Sequence, residues 1–207
     1  MSAFHGDRRA RIRTRSGTVS RAQPEAGGRD QTSTISGTTP AHFALQELRT
    51  TSGTLFDEGQ SRAGAPVAVL GANLARDLFG NGTAVGQTLR VKDQTLRVIG
   101  VLAAKGGGGM TSTDDQLYAP INFVQERLFG ARTPDGNSYR VASIMLSARN
   151  GDDIQAIQDR ITVLLRERHY LKADGSADDF SVANQASMLS TLNSITSILT
   201  AFLAAIA

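Results

Sequence analysis

The sequence predicts an α+β fold with an inserted subdomain and a long C-terminal helix. Three observations carry the core of that reading. "VAVLGANLARDLFG" is a short apolar run followed by a helical stripe. "TLRVKDQTLRVIGVL" alternates on either side of a polar turn. "STLNSITSILTAFLAAIA" is a helical stripe that becomes apolar all round. Strand and helix pieces, a hairpin-rich middle and a strand–helix–strand return are the pattern of an α+β domain.

Composition sets the bounds. The chain has 207 residues, of which 40% are hydrophobic and 20% charged, enough for one domain or two small ones. Its net charge of +3 arises in the first 21 residues, where Arg8, Arg9, Arg11, Arg13, Arg15 and Arg21 outnumber Asp7. With no cysteine, disulfides and thiolate metal sites are excluded, whereas the compartment stays open. Residues 1–30 lack the apolar core of a secretory signal. The apolar segment from Ile195 onward is shorter than the ~20 residues that cross a bilayer.

Residues 1–31 hold few large apolar side chains, so the expectation is a disordered basic arm. "STISGTTPAHFALQELRTTSGTLF" reads as a polar strand, a turn over Gly37–Pro40 and a short segment carrying Phe43, Leu45 and Leu48. Pro40 biases Thr39 toward extended backbone. "PVAVLG" is a buried strand. The helix after it is expected to use Asn73 as N-cap, Leu74, Leu78 and Phe79 as its apolar face and Gly80 as its stop.

Leu89 and Val91, then Leu96 and Val98, give the hairpin, with its turn around Lys92–Gln94. "KGGGGMTSTDD" predicts an irregular, mobile loop, because consecutive glycines have the largest backbone entropy to lose and no side chain to pack. "QLYAPINFVQERLFG" predicts a strand ending at Pro120 and a short helix with Phe123, Val124 and Leu128 apolar, stopped by Gly130. "PDG" marks a turn and "VASIMLSA" a strand.

"DDIQAIQDRITVLLRERH" is the clearest helix. Ile154, Ile157, Ile161, Leu164 and Leu165 recur at helical spacing, with acids in the first turn and Arg166, Arg168 and His169 in the last. "DFSVAN" predicts a further strand, with Asn184 capping the terminal helix.

Motifs for chemistry are sparse. "GNGTAVG" follows a helix and precedes a strand, the reverse of a dinucleotide-binding turn, and the lysine of "KGGGGM" precedes its glycines, unlike a P-loop. The histidines His5, His42 and His169 lack metal-site spacing. The pairs Asp114–Asp115 and Asp152–Asp153 read as caps or solvated charges. With no Gly-x-Ser-x-Gly elbow either, the expectation is a protein that is not an enzyme, with no cofactor and no catalytic, cofactor-binding or metal residues.

The ordered set "VAVLGANLARDLFG", "AVGQTLRV", "LRVIGVL", "DDQLYAPI" and "FLAAIA" resembles the periplasmic core domain of MacB-like ABC transporter permeases (MacB/FtsX-type), from about Thr32 to Ala207. The resemblance implies a porter-like subdomain from both chain ends, at 32–57 and 141–183, an inserted smaller strand-rich subdomain at 58–140, a C-terminal stalk helix entering a truncated transmembrane helix at 184–207, and truncation at both ends. It implies a domain on the periplasmic side of the inner membrane that couples cytoplasmic ATP hydrolysis to macrolide, peptide or lipoprotein export by mechanotransmission. The implied partners are a second permease copy, an ATP-binding subunit or domain, a periplasmic adaptor with an outer-membrane channel, and the membrane, with no nucleic acid.

Two sets of candidate residues accompany this reading. Lys105, Gly106, Gly107, Gly108, Gly109 and Met110 form a possible partner-contact loop, since mobile loops on rigid scaffolds often bind. Leu192, Ile195, Leu199, Phe202, Leu203 and Ile206 face the membrane from the stalk helix. The alternative is a free-standing soluble binding module whose basic N-terminal arm takes an anionic partner.

Overall fold

Val67-Ala-Val-Leu70 has no polar side chain and is buried at all four positions, which suits a strand packed on both faces. The computed structural model describes residues 9–21, 30–106, 112–130, 132–133, 136, 138–148, 154–184, 196–197 and 202, with the backbone alone described for 9–21 and 30. The chain divides into two compact units, Met1–Ser147 and Ala148–Ala207.

The first unit is built on one sheet. Its strands are β1 (Arg9–Arg21), β2 (Asp30–Thr38), β3 (Thr50–Gly53), β4 (Val67–Leu70), β5 (Thr88–Val91), β6 (Gln94–Leu102), β7 (Gln116–Pro120) and β8 (Ser143–Leu146). The order is β2-β7-β4-β6-β5-β1-β8, with β3 beside β6. β1 also pairs with β2, so the ladder path returns on itself. β2 with β7 and β4 with β6 are parallel pairs, while β4–β7 and β5–β6 are antiparallel.

Alternation along the central strands feeds two cores. Ala68, Leu70, Leu117 and Ala119 join Leu74 and Leu78 of helix α3 (Ala72–Phe79), together with Phe123, Val124 and Leu128. Val67, Val69 and Tyr118 point the other way, to Phe43 of helix α1 (Pro40–Leu45) and to Leu48 and Phe56. Helix α2 (Glu58–Arg62), absent from the sequence reading, is fixed by a capping box in which Gln60 N donates to Asp57 Oδ1 at 2.7 Å. Helix α4 (Ile121–Phe123) opens into a π-helical turn, Val124–Leu128, closed by Phe129 N donating to Val124 O at 2.8 Å.

Several expectations hold. β2, β4 and β7 stand where the apolar and β-like runs put them, and the β5–β6 hairpin turns on Lys92, whose φ is 54°. Pro40 opens α1 with Thr39 extended before it, Gly80 ends α3 at φ 62°, and Gly136 sits in the predicted turn, its N donating to Thr133 O. Asp152 and Asp153 lie outside the described residues.

Four expectations are corrected. The N-cap of α3 is Gly71, because the Asn73 amide is engaged instead with Asp115 Oδ1 at 3.0 Å. Gly37 lies inside β2 rather than in a turn, where the space a Cβ would need is occupied by Val124. Asp179–Asn184 forms no ladder among the described strands, and at its start Asp179 Oδ1 is engaged by His169 Nδ1 at 2.8 Å. Within the arm expected to be disordered, Arg9–Arg21 is strand β1, satisfied by backbone bonds to β2, β5 and β8.

The second unit contains helix α5 (Ile154–Arg168), as the periodicity predicts. Its stripe is only partly covered: Ile154, Ile157, Ile161 and Leu165 are half-buried, while Val163 and Leu164 are exposed. Beyond it, Arg166 holds the chain back by a fork to Asp178, with Nη2 2.7 Å from Oδ2 and Nε 2.9 Å from Oδ1, and by Nη1 donating to Ala173 O at 3.0 Å. The pairing raises the guanidinium pKa and lowers that of the Asp178 carboxyl. Asn184, Thr196, Ser197 and Phe202 are the described residues of the expected stalk segment, the last three of them helical.

Candidate functional site

The site is the base of the glycine-rich loop, where β6 ends and a single 3-10 turn, Thr113–Asp115, feeds β7. Ser112 Oγ caps that turn by accepting from Asp114 N at 3.2 Å. The Asp114 side chain is thereby placed inward, and the residue is 4% exposed. Its two carboxylate oxygens accept from successive peptide groups of the opposite loop stem. Lys105 N donates to Oδ1 and Gly106 N to Oδ2, each at 3.0 Å. A buried carboxylate is tolerated on such terms, because charge-assisted bonds offset its loss of water.

Neighbouring elements fix this clasp. Asp115 accepts through Oδ1 from Asn73 and through its carbonyl from Ser33 Oγ of β2. Gly71 lets the β4–α3 corner pass directly against the backbone, since a Cβ there would overlap Asp114 O. Lys105 Nζ donates to Gln46 O at 2.8 Å, at the C-terminal end of α1, where unpaired carbonyls favour a cation. Gln46 Nε2 in turn donates to Met145 Sδ of β8 at 3.4 Å.

Beneath the clasp lies His42, 7% exposed, its ring 5.8 Å from that of Tyr118 and 6.0 Å from that of Phe43. Burial, assisted by the charge of Lys105, lowers its pKa to about 4. Its Nδ1 has no hydrogen-bond partner among the described residues. Burial likewise pushes the Tyr118 hydroxyl up to about 12, opposed by a hydrogen bond with Thr113 and assisted by Asp114. Near neutral pH both rings are uncharged.

Of the predicted loop residues, Lys105 and Gly106 belong to this clasp, while Gly107, Gly108, Gly109 and Met110 lie outside the described residues. Of the predicted stalk residues, Phe202 is helical and 63% exposed, whereas Leu192, Ile195, Leu199, Leu203 and Ile206 lie outside the description. Sequence reasoning missed His42, Gln46 and Tyr118 as parts of one site. Asp114 offered a signal, a cap-forming Ser-x-Asp that begins three residues after Gly109. Among the described residues, no cluster of His, Asp or Glu is placed to hold a metal ion, and no helix is long and apolar enough to cross a membrane.

A sheet layered with helices on two cores, with a loop stem clasped by Asp114, defines the domain's architecture. Residues 3–164 match the family model of the MacB-like periplasmic core domain, and the chain belongs to that family. The match takes in β1, so the basic stretch that the sequence reading set apart is part of the domain. The chain is 32% identical over 173 residues to the macrolide export ATP-binding/permease protein MacB of Bdellovibrio bacteriovorus, covering 84% of this chain and 26% of that protein. It is 34% identical over 139 residues to the pyoverdine export ATP-binding/permease protein PvdT of Pseudomonas entomophila, covering 66% of this chain and 19% of that protein.

The chain thus spans about a quarter or less of these relatives. The periplasmic region of MacB from Actinobacillus actinomycetemcomitans has the same fold, with a TM-score of 0.71 at 21% identity over 89% of this chain and 75% of that one. These homologues are ABC transporter permeases, and the matched part is the portion on the periplasmic side of the membrane.

Proposed function

We propose that this chain is the extracytoplasmic head of an ABC export permease and transmits cytoplasmic ATP hydrolysis to cargo by mechanotransmission. The observation that carries the reading is the family match across residues 3–164. The relatives named above are macrolide and pyoverdine export proteins; macrolide, peptide or lipoprotein is the cargo range proposed for this chain.

In this proposal the porter-like body is built from both chain ends, about 32–57 and 141–183, around the insert at 58–140. The bond between Gln46 and Met145 supports that division. The second permease copy, the ATP-binding subunit or domain, the adaptor and the outer-membrane channel are proposed partners. The loop Lys105–Met110, held at its stem by Asp114, is the proposed adaptor contact. Segment 184–207 is the proposed lever, about 36 Å long if helical at ~1.5 Å per residue, which exceeds the radius of a domain this size. The alternative soluble module is disfavoured, because its arm is engaged as β1.

A chimera tests the reading. The chain replaces its matched region in the Bdellovibrio relative, and macrolide resistance and ATP hydrolysis are measured together. Restored resistance is expected, and a Gly-Ser insertion after Asn184 is expected to abolish resistance while leaving ATP hydrolysis in place. Unchanged resistance after the insertion overturns the lever, and a well-expressed chimera without resistance overturns the export assignment. Replacing Gly106–Gly109 with a rigid turn is expected to weaken adaptor assembly; unchanged assembly removes the loop from the proposal.

A further inference from the structure

The π-helical turn after α4 faces a second short structure. Thr133 and Ser138 close a small hairpin, with Thr133 N donating to Ser138 O at 2.8 Å and Ser138 N to Thr133 Oγ1 at 3.1 Å. Between the two lies a half-open concavity of about 240 Å³, lined by Ile121, Asn122, Gln125, Ser138, Tyr139 and Val141. Inserted π turns are frequent at functional sites, because they turn side chains out of the regular helical rows.

Three features make this a prepared surface. Asn122 Nδ2 donates to Arg62 O at 3.1 Å, which fixes the plane of its amide. The Tyr139 ring is held by the Arg132 guanidinium 5.0 Å from its centroid. Gly130 brings the chain close to both walls, since a Cβ there would overlap Gln125 O and touch Tyr139 Cε1. Asn122 and Tyr139 therefore keep little side-chain entropy for a ligand to remove.

The chemistry of the lining selects the ligand. Two carboxamides, a phenol and a hydroxyl provide donors and acceptors together, between two aliphatic side chains, and the described lining residues include no Asp, Glu, Lys, Arg or His. A carboxamide complements a peptide group with one donor and one acceptor. The volume decides between cargo and partner, because sites for drug-sized molecules run from about 300 Å³ upward. A macrolide therefore exceeds this site, whereas one apolar side chain with its flanking peptide groups fits it.

We propose that this concavity is a docking site for an extended, uncharged polypeptide segment, taking one aliphatic side chain between Ile121 and Val141 and peptide groups at Asn122 and Gln125. The proposal stands apart from the transport reading and does not depend on it. The test uses the chain as it is, with N-acetyl-leucine N-methylamide as probe at millimolar concentration, followed by amide chemical shifts. Acetate and tetramethylammonium chloride serve as charged controls.

Expected are saturable shifts centred on residues 121–125 and 138–141, weakened at least tenfold in both Gln125→Leu and Tyr139→Ala, with the charged controls silent. Thermal unfolding identifies a variant that fails to fold, and Asn122→Ala then replaces it. Absence of saturable shifts overturns the proposal. So do shifts that persist in well-folded variants, or equal responses to a charged control.

Discussion

Asp114 exchanges water for the peptide N–H groups of Lys105 and Gly106 and is nearly fully buried, so both of its oxygens are committed. An amide at this position keeps one acceptor and turns an NH2 toward the other N–H. Asp114→Asn is therefore expected to cost about 1–3 kcal/mol in denaturant unfolding and to speed hydrogen exchange at Gly106. His42 gives the chain a pH dependence of definite sign. Its pKa is about 4 in the folded protein against 6.5 for the free side chain, so the unfolded chain binds the proton more readily. Stability is full above the unfolded value and declines as pH falls from about 6.5 toward 4, by up to about 3 kcal/mol. His42→Phe, with His42→Gln as a smaller replacement, is expected to flatten this decline when urea midpoints at pH 7.5 and 4.5 are compared. Neither effect was legible in the sequence: Asp114 showed its capping character but not its distant partners, and His42 showed no partner because its environment is assembled from α1, β7 and the loop stem.

Elements whose burial is set by their own periodicity were legible. The Leu74–Leu78 stripe of α3, the Leu89–Val91 and Leu96–Val98 alternation and the stop at Gly80 all follow from local pattern. Elements decided by a distant neighbour were not. Asn73 has a capping side chain, yet Asp115, 42 positions away, claims it. The β4–α3 corner belongs with these, because Gly71 is needed for contact with Asp114 rather than for a turn; its φ of −66° is open to any residue. Gly71→Ala therefore tests packing without altering backbone preference. The added methyl meets a carbonyl on a segment already tied through Asp114 and Asp115, and relief requires moving α3 or breaking the clasp. The expected loss is about 1–3 kcal/mol, read from denaturant unfolding. The Asp114→Asn and Gly71→Ala effects are expected to be non-additive, since both act on one contact.

For the whole molecule, the decisive strand is the one its composition concealed. Arginine content and scarce large apolar residues make residues 1–31 read as a solvated arm, yet Arg9, Arg11, Arg13 and Arg15 alternate with Ala10, Ile12, Thr14 and Ser16. That period of two is a strand signal which net charge obscures. In the fold, β1 pairs antiparallel with β2 from Ile12 to Ser20, with β5 from Val19 to Arg21 and with β8 from Arg9 to Ile12. It closes the ladder path and is the partner of β8 among the described strands. Removing it would leave the backbone groups of β2 and β8 without their described antiparallel partners, and bare edges recruit other chains. A variant lacking residues 1–21 is thus expected to melt at least about 10 °C lower, to lose β-sheet signal in far-UV circular dichroism and to associate at concentrations where the full chain stays monodisperse. A free arm predicts the opposite, an unchanged melting point and spectrum with only the arginine charge gone, so one thermal scan of the two proteins separates a dispensable tail from a strand on which the sheet depends.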